Sequence, residues 1–185
     1  MTPEVERKLT ILETPRLRLR RTLHADIPAL VALWTDAEVT RYMGGPREES
    51  MLTRVFTEAA DDPFGEDYDL WPVEEKITGE VIGDCGLLQK DIEGVDEIEL
   101  VYVIARSRWG RGYASEIAEA LVRHAFETQG LTRLVSLIEP DNAGSERVAR
   151  KVGMRLEKEV IRPGGVRRLL YAVESRLKDA TDTQA

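Results

Sequence analysis

The sequence predicts an α/β protein on one mixed sheet flanked by helices, and three observations carry that prediction. Stretches of period-two alternation recur along the chain. One long apolar stripe of helical period lies between two of them, from Tyr113 to about Thr128. Two strand pairs flank glycine-bearing turns, Thr78-Gly79 and Gly164-Gly165.

The elements follow in chain order. Arg16 to Arg21 alternates apolar and basic residues and reads as a strand. Ala25 to Trp34 and Asp36 to Tyr42 read as short helices, and Glu48 to Ala60 as a third. Residues 61–69 carry Pro63, Gly65 and the carboxylates Asp61, Asp62, Glu66, Asp67 and Asp69, and read as a polar loop. Asp69 to Ile77 and Glu80 to Leu88 form a hairpin about Thr78-Gly79, and Val95 to Ala105 is the next strand. In the long helix, Ala114, Ile117, Ala118, Leu121, Val122, Ala125 and Phe126 make the buried stripe. Arg133 to Ile138 is then a strand, and Asn142 to Val152 a helix stopped by Gly153. Arg155 to Ile161 and Val166 to Glu174 close the chain as a second hairpin. Residues 10–177 read as a single domain, with 1–9 and 178–185 as loose tails.

Composition removes several classes of function. A chain of 185 residues has a one-domain length. Hydrophobic residues at 42% and charged ones at 32% suit a soluble globular protein. No apolar run approaches about 20 residues, so no membrane span is expected. The start, Met1 to Lys8, is charged and lacks the apolar core of a secretory signal. Cys85 is the single cysteine; it permits no internal disulfide, suits a reducing cytoplasm and reads as a core residue. Net charge −8 argues against general nucleic-acid binding. No Cys/His spacing suits zinc, so no metal is expected. The oligomeric state stays open, a homodimer included.

The most informative stretch is Arg108-Trp109-Gly110-Arg111-Gly112-Tyr113-Ala114-Ser115. It lies between a strand and the long helix. A glycine-rich turn that opens a helix aims unpaired backbone N–H groups at one place, and the helix dipole adds positive potential there. Such a place holds phosphate. Residues 106–115 contain no carboxylate but do contain Arg106, Arg108 and Arg111. The nucleotide P-loop pattern is absent, and the dinucleotide fingerprint fails because Ser115 stands where its third glycine belongs.

With Asn142-x-x-Ser145 and Gly153-Met154 downstream, this segment resembles the N-acetyltransferase (GNAT) superfamily, and its RimJ/RimL-type branch in particular. Thr14-Pro15-Arg16-Leu17-x-Leu19-Arg20 and Asp36-x-Glu38-Val39-Thr40-Arg41-Tyr42-Met43 resemble the same branch. The likeness runs from about Leu12 to Glu174. It implies the acetyltransferase fold: a central, mostly antiparallel sheet with splayed strands, flanked by helices, with the cofactor in the cleft. It also implies acetyl-coenzyme A as co-substrate and direct transfer of acetyl to a primary amine, either a protein N-terminal α-amine or a small cationic amine.

The resemblance then assigns candidate roles. Gly110, Arg111, Gly112, Tyr113, Ala114 and Ser115 would take the pyrophosphate. The strand edge at Tyr102, Val103 and Ile104 would pair with the pantetheine amides, as in strand addition. Trp109 stands where the wider family has Gln or Arg, which removes one polar group from the loop. Glu99 is the candidate base, in a mostly apolar strand where an idle carboxylate is costly; Glu139 is the second candidate. The usual tyrosine acid is replaced by Ala149, so Ser145 is the candidate on the thiol side, with Asn142 as N-cap beside it. Trp34, Tyr42, Tyr68 and Trp71 lie in the half that builds the family's acceptor pocket. The carboxylates of residues 61–69 read either as a solvated loop or as an acidic rim that draws in a cation. The rival from another class is a non-catalytic coenzyme A-binding sensor or scaffold.

Overall fold

The computed structural model describes residues 3–64 and 68–175. The chain opens with helix α1 (Pro3–Leu9) and strands β1 (Thr10–Glu13) and β2 (Leu17–Arg20), then α2 (Ile27–Thr35) and α3 (Glu49–Asp61). A meander follows: β3 (Leu70–Glu75), β4 (Glu80–Ile92) and β5 (Val95–Ile104). Helix α4 (Tyr113–Glu127) leads to β6 (Arg133–Ile138), α5 (Ala143–Lys151), β7 (Arg155–Arg162) and β8 (Val166–Glu174). All eight strands join one sheet in the order β1-β2-β3-β4-β5-β6-β8-β7. Every neighbouring pair is antiparallel except β5 and β6, which run parallel because α4 crosses between them. The mixed-sheet α/β class read from the sequence is the observed one.

Three expectations need correction. Residues 36–42 are turns, not a helix. The Asp36 side chain accepts from Glu38 N at 2.8 Å and Val39 N at 3.3 Å, and the Thr40 hydroxyl donates to Asp36 O at 2.7 Å. Asp36 thus caps a single turn, closed by Thr40 N donating to Asp36 O at 3.0 Å, and the chain then leaves through Gly44 and Gly45 with φ of 90° and 84°. Residues 3–9 are helical rather than a loose tail; Leu9 is buried and its carbonyl accepts from Arg21 N at 2.9 Å. The expected tail at 178–185 lies outside the described residues. The third difference is the length of β4, which runs to Ile92 and turns into β5 at Glu93 and Gly94, with φ of 54° and 83°. Two consecutive positive φ values suit the twist of a tight hairpin.

The two faces of the sheet are covered differently. Helix α4 packs Ile117, Ala118, Leu121 and Ala125 against Leu17, Leu19, Leu87 and Leu100. On the other face Leu33 and Trp34 of α2 and Leu52 of α3 meet Val103. Strand alternation thus sends Leu100 and Ile104 toward α4, and Val101 and Val103 toward α2 and α3. Glu99 shares the second face. Cys85 is fully buried, donates to Val103 O, and burial pushes its thiol pKa up; it is a packing residue.

Candidate functional site

One cavity of about 1080 Å³ runs across the molecule where β5 and β6 part. Its walls come from α2, the turns after it, the splayed strands, the start of α4 and the first turns of α5.

At one end lies the glycine turn. Gly110 and Gly112 have φ of 74° and 81°, and Gly112 is the N-cap of α4 in the left-handed region. That conformation, more than space, calls for glycine, since a Cβ at Gly112 would meet Arg16 Nη2 only at 3.6 Å. The helical ladder begins with Glu116 N donating to Gly112 O at 3.0 Å. The amides of Tyr113, Ala114 and Ser115 precede it and have no intrahelical acceptor. Gly110, Gly112, Tyr113, Ala114 and Ser115 all line the cavity, while Arg111 does not; its carbonyl accepts from Arg16 Nη1 at 3.0 Å.

Arg16 braces this turn. Its guanidinium lies 4.3 Å from the Tyr113 ring centroid and pairs with Glu116 at 2.6 Å. Tyr113 in turn donates its hydroxyl to Glu75. Trp109 is also structural: its indole N–H donates to Ile104 O at 2.6 Å and ties the turn to the end of β5. Sequence reading saw in Trp109 only a lost polar group, and did not see Arg16 reach the loop at all.

In the middle, β5 and β6 share a single register pair, Glu99 with Val135, and the Ser136 hydroxyl donates to Leu100 O at 2.7 Å. From there to Ile104, β5 has β4 as its only strand partner among the described residues. Tyr102, Val103 and Ile104 therefore border the gap, with one lone pair of the Ile104 carbonyl taken by Trp109. Across the gap, Asn142 caps α5 by accepting from Ser145 N at 3.0 Å. Tyr102 donates its hydroxyl to Ser145 O at 2.9 Å, a link that spacing did not reveal. Burial pushes the Tyr102 hydroxyl pKa up, so it stays protonated. Ala149 is fully buried, so its position offers no acid.

At the far end stands Glu99, half-buried, with Oε1 accepting from Leu137 N at 3.3 Å. Burial raises its pKa; Lys90, the Leu137 amide, Arg162 and Arg168 pull the other way. The second candidate base, Glu139, also lines the cavity but is ion-paired with Arg168. Glu97 is held by Arg133 at 3.1 Å outside it. Of the aromatic residues expected in an acceptor pocket, Trp34 and Tyr42 line the cavity, whereas Trp71 is buried in the main core with Tyr68 packed against it. Trp34 Nε1 donates to Asp84 Oδ2 at 2.8 Å.

None of the described carboxylates in residues 61–69 lines the cavity. Asp61 faces His24 at 3.1 Å, and Asp69 accepts from Leu70 N at 2.7 Å. Glu66 and Asp67 lie outside the described residues. Among the described residues there is no cluster suited to a metal ion, and no helix is long and apolar enough to cross a membrane.

Comparison with known proteins shows the family and the fold. A family model described as acetyltransferase (GNAT) domain matches residues 16–155. The protein YkkB of Bacillus subtilis is 34% identical over 152 residues, covering 82% of this chain and 88% of its own. The crystal structure of an acetyltransferase from Agrobacterium tumefaciens superposes with a TM-score of 0.75 at 31% identity, covering 90% of this chain and 94% of that one. The aminoglycoside acetyltransferase AAC(6')-Ib, solved with coenzyme A, shares the fold at a TM-score of 0.67 and 16% identity, over 89% and 98% of the two chains.

Proposed function

We propose, from the premise that this chain belongs to the acetyltransferase (GNAT) family, that it moves the acetyl group of acetyl-coenzyme A directly onto a primary amine. One observation carries the proposal: a single cleft joins the free amides at the start of α4 to Glu99 through the gap between β5 and β6.

The residues present fit the cofactor. Gly110, Arg111, Gly112, Tyr113, Ala114 and Ser115 form a helix start with unpaired amides and no carboxylate before Glu116, the setting a pyrophosphate needs. The bordering strand at Tyr102, Val103 and Ile104 suits an extended amide chain. When bound, acetyl-coenzyme A supplies an acetyl group activated as a thioester. Glu99 takes the proton that the amine gives up, and a positioned base contributes about 10²–10⁴ in rate. Ser145, fixed by Asn142 and by Tyr102, presents its hydroxyl on the thiol side. Thr14 and Arg16, in the motif that carries the likeness to the RimJ/RimL-type branch, both hold Glu116 at the helix start. The acceptor is then a protein N-terminal α-amine or a small amine. The single, fully buried cysteine suits a reducing cytoplasm.

The absence of an acid at Ala149 favours one other reading, a module that binds coenzyme A without catalysis. Thiol release from acetyl-coenzyme A over a panel of amines separates the two, read beside the thermal shift that the cofactor induces. Release with a matching acetylated product supports transfer. A thermal shift with no release for any amine leaves only the binding module, and no shift at millimolar cofactor removes both.

A further inference from the structure

The acceptor end of the cleft is basic. Lys90 of β4 stands opposite Glu97 and diagonal to Glu99 on the same face of the β4–β5 pair. Arg162, at the end of β7, reaches across to donate to Asp91 O at 2.7 Å, which ties its guanidinium to the backbone next to Lys90 in the chain. Both line the cavity with Glu99, and neither forms an ion pair among the described residues. Arg168, the third cation there, is neutralised by Glu139.

These cations do not serve the cofactor's phosphates. The amides that suit phosphate start beyond Ile104, five residues along β5 from Glu99, about 16 Å at a strand's rise. The expected source of negative charge, residues 61–69, stays off the cavity in its described part. At this end an ammonium acceptor meets Glu99, a half-buried carboxylate, beside two cations that have no ion-pair partner among the described residues; Glu38 and Asp141 also line the cavity.

Resting on the acetyl-transfer reading above, we propose that the acceptor is an amine that also carries a carboxylate, with its nitrogen at Glu99 and its carboxylate held by Lys90 and Arg162. A plain polyamine would bring a second cation against Lys90 and Arg162. An amino acid satisfies both signs at once. Charged pairs of this kind act as discriminators, since like charges brought together cost several kcal/mol and opposite ones fix register.

The test is a matched series: α-, β- and γ-amino acids, their amides, and the diamines of the same chain length, each assayed for product with acetyl-coenzyme A. In the wild type, the carboxylate member of at least one chain length should exceed its amide in kcat/KM by about tenfold or more, and the diamine by more still. Lys90→Gln with Arg162→Gln should bring the carboxylate-to-amide ratio toward one. Lys90→Glu with Arg162→Glu should invert it in favour of the diamine. The cofactor-induced rise in Tm should survive in both double variants and report that they fold. Transfer to amides or diamines at least as fast as to amino acids would overturn this proposal and leave acetyl transfer standing. Failure of every amine would fall on the transfer reading itself, and take this proposal with it.

Discussion

Arg16 and Glu116, a hundred residues apart in sequence, join the turn before β2 to the first turn of α4: Arg16 Nε and Nη2 each lie 2.6 Å from Glu116 Oε2. Thr14 Oγ1 and Arg16 N both bond Glu116 Oε1, at 2.6 and 3.1 Å. The pair solves a problem that the helix start creates. Glu116 is a carboxylate one residue past the amides that suit a pyrophosphate, and Arg16 cancels its charge while bracing Tyr113 and Arg111.

Removing Arg16 therefore does two things at once, and a double-mutant cycle separates them. Arg16→Gln should raise KM for acetyl-coenzyme A by about tenfold, because Glu116 is left uncompensated where a phosphate must come. Adding Glu116→Gln should recover part of that loss. Additive losses in the double variant would mean that the contact holds up the fold only and does not tune the charge of the site.

The second expectation concerns the base. Glu99→Gln should lower kcat by about tenfold or more, the low end of general-base effects, with KM for the cofactor little changed. Because burial raises the Glu99 pKa, the rate of the wild type should fall on its acid limb at a pH above the ordinary carboxylate range. Lys90→Met removes the largest opposing influence and should carry that limb to higher pH. An acid limb that stays in place in both variants would exclude Glu99 as the titrating group.

How much of this was legible in the sequence differs by element, for physical reasons. Periodicity found α4, since its apolar stripe faces the sheet for its whole length, and glycine pairs found the closing hairpin. Residues that share the cavity were found where they sit on regular elements: Glu99, Tyr102, Asn142 and Ser145. Residues 36–42 make one capped turn and no helix, because the ladder that starts at Asp36 ends at Thr40 and the chain turns away through Gly44 and Gly45, which local propensity does not encode. Arg16 and Trp109 were misjudged because their roles lie in tertiary contacts, with Glu116 and with the Ile104 carbonyl. The described carboxylates of segment 61–69 stay off the cavity, since charge composition says nothing about which way a loop faces.

A third expectation comes from a buried group outside the reaction. Asp84 is 1% exposed; Oδ2 accepts from Trp34, while Oδ1 has no hydrogen-bond partner among the described residues. Burial, with Asp69 nearby, raises its pKa from 3.8 to about 7, against the Trp34 bond. A carboxylic acid whose folded pKa is raised adds stability below the unfolded value and loses it as pH climbs to the folded one. Tm should thus decline between about pH 4 and pH 7 from this group. Asp84→Asn keeps the acceptor for Trp34 and cannot ionise, so it should flatten that decline and be the more stable protein at pH 8. If wild type and variant decline in parallel, Asp84 is not the group responsible.

The last expectation isolates charge from backbone strain at the helix start. Gly112 caps α4 with φ of 81°, a region that an L residue enters at a cost of about 1–2 kcal/mol and that Asn and Asp tolerate better than most. Gly112→Asn and Gly112→Asp share that cost and have nearly the same shape. They differ in one negative charge beside the amides of Tyr113, Ala114 and Ser115. Both should therefore lose a similar few degrees of Tm without cofactor. Gly112→Asn should keep most of the cofactor-induced rise in Tm. Gly112→Asp should lose it, since the new carboxylate repels the pyrophosphate and also competes with Glu116 for Arg16, whose Nη2 lies 3.6 Å from the Cβ position. Calorimetric titration of both variants gives the measurement, with a Kd ratio of about tenfold or more expected between them. Equal affinities for acetyl-coenzyme A in the Asn and Asp variants would show that the anion does not sit at this helix end.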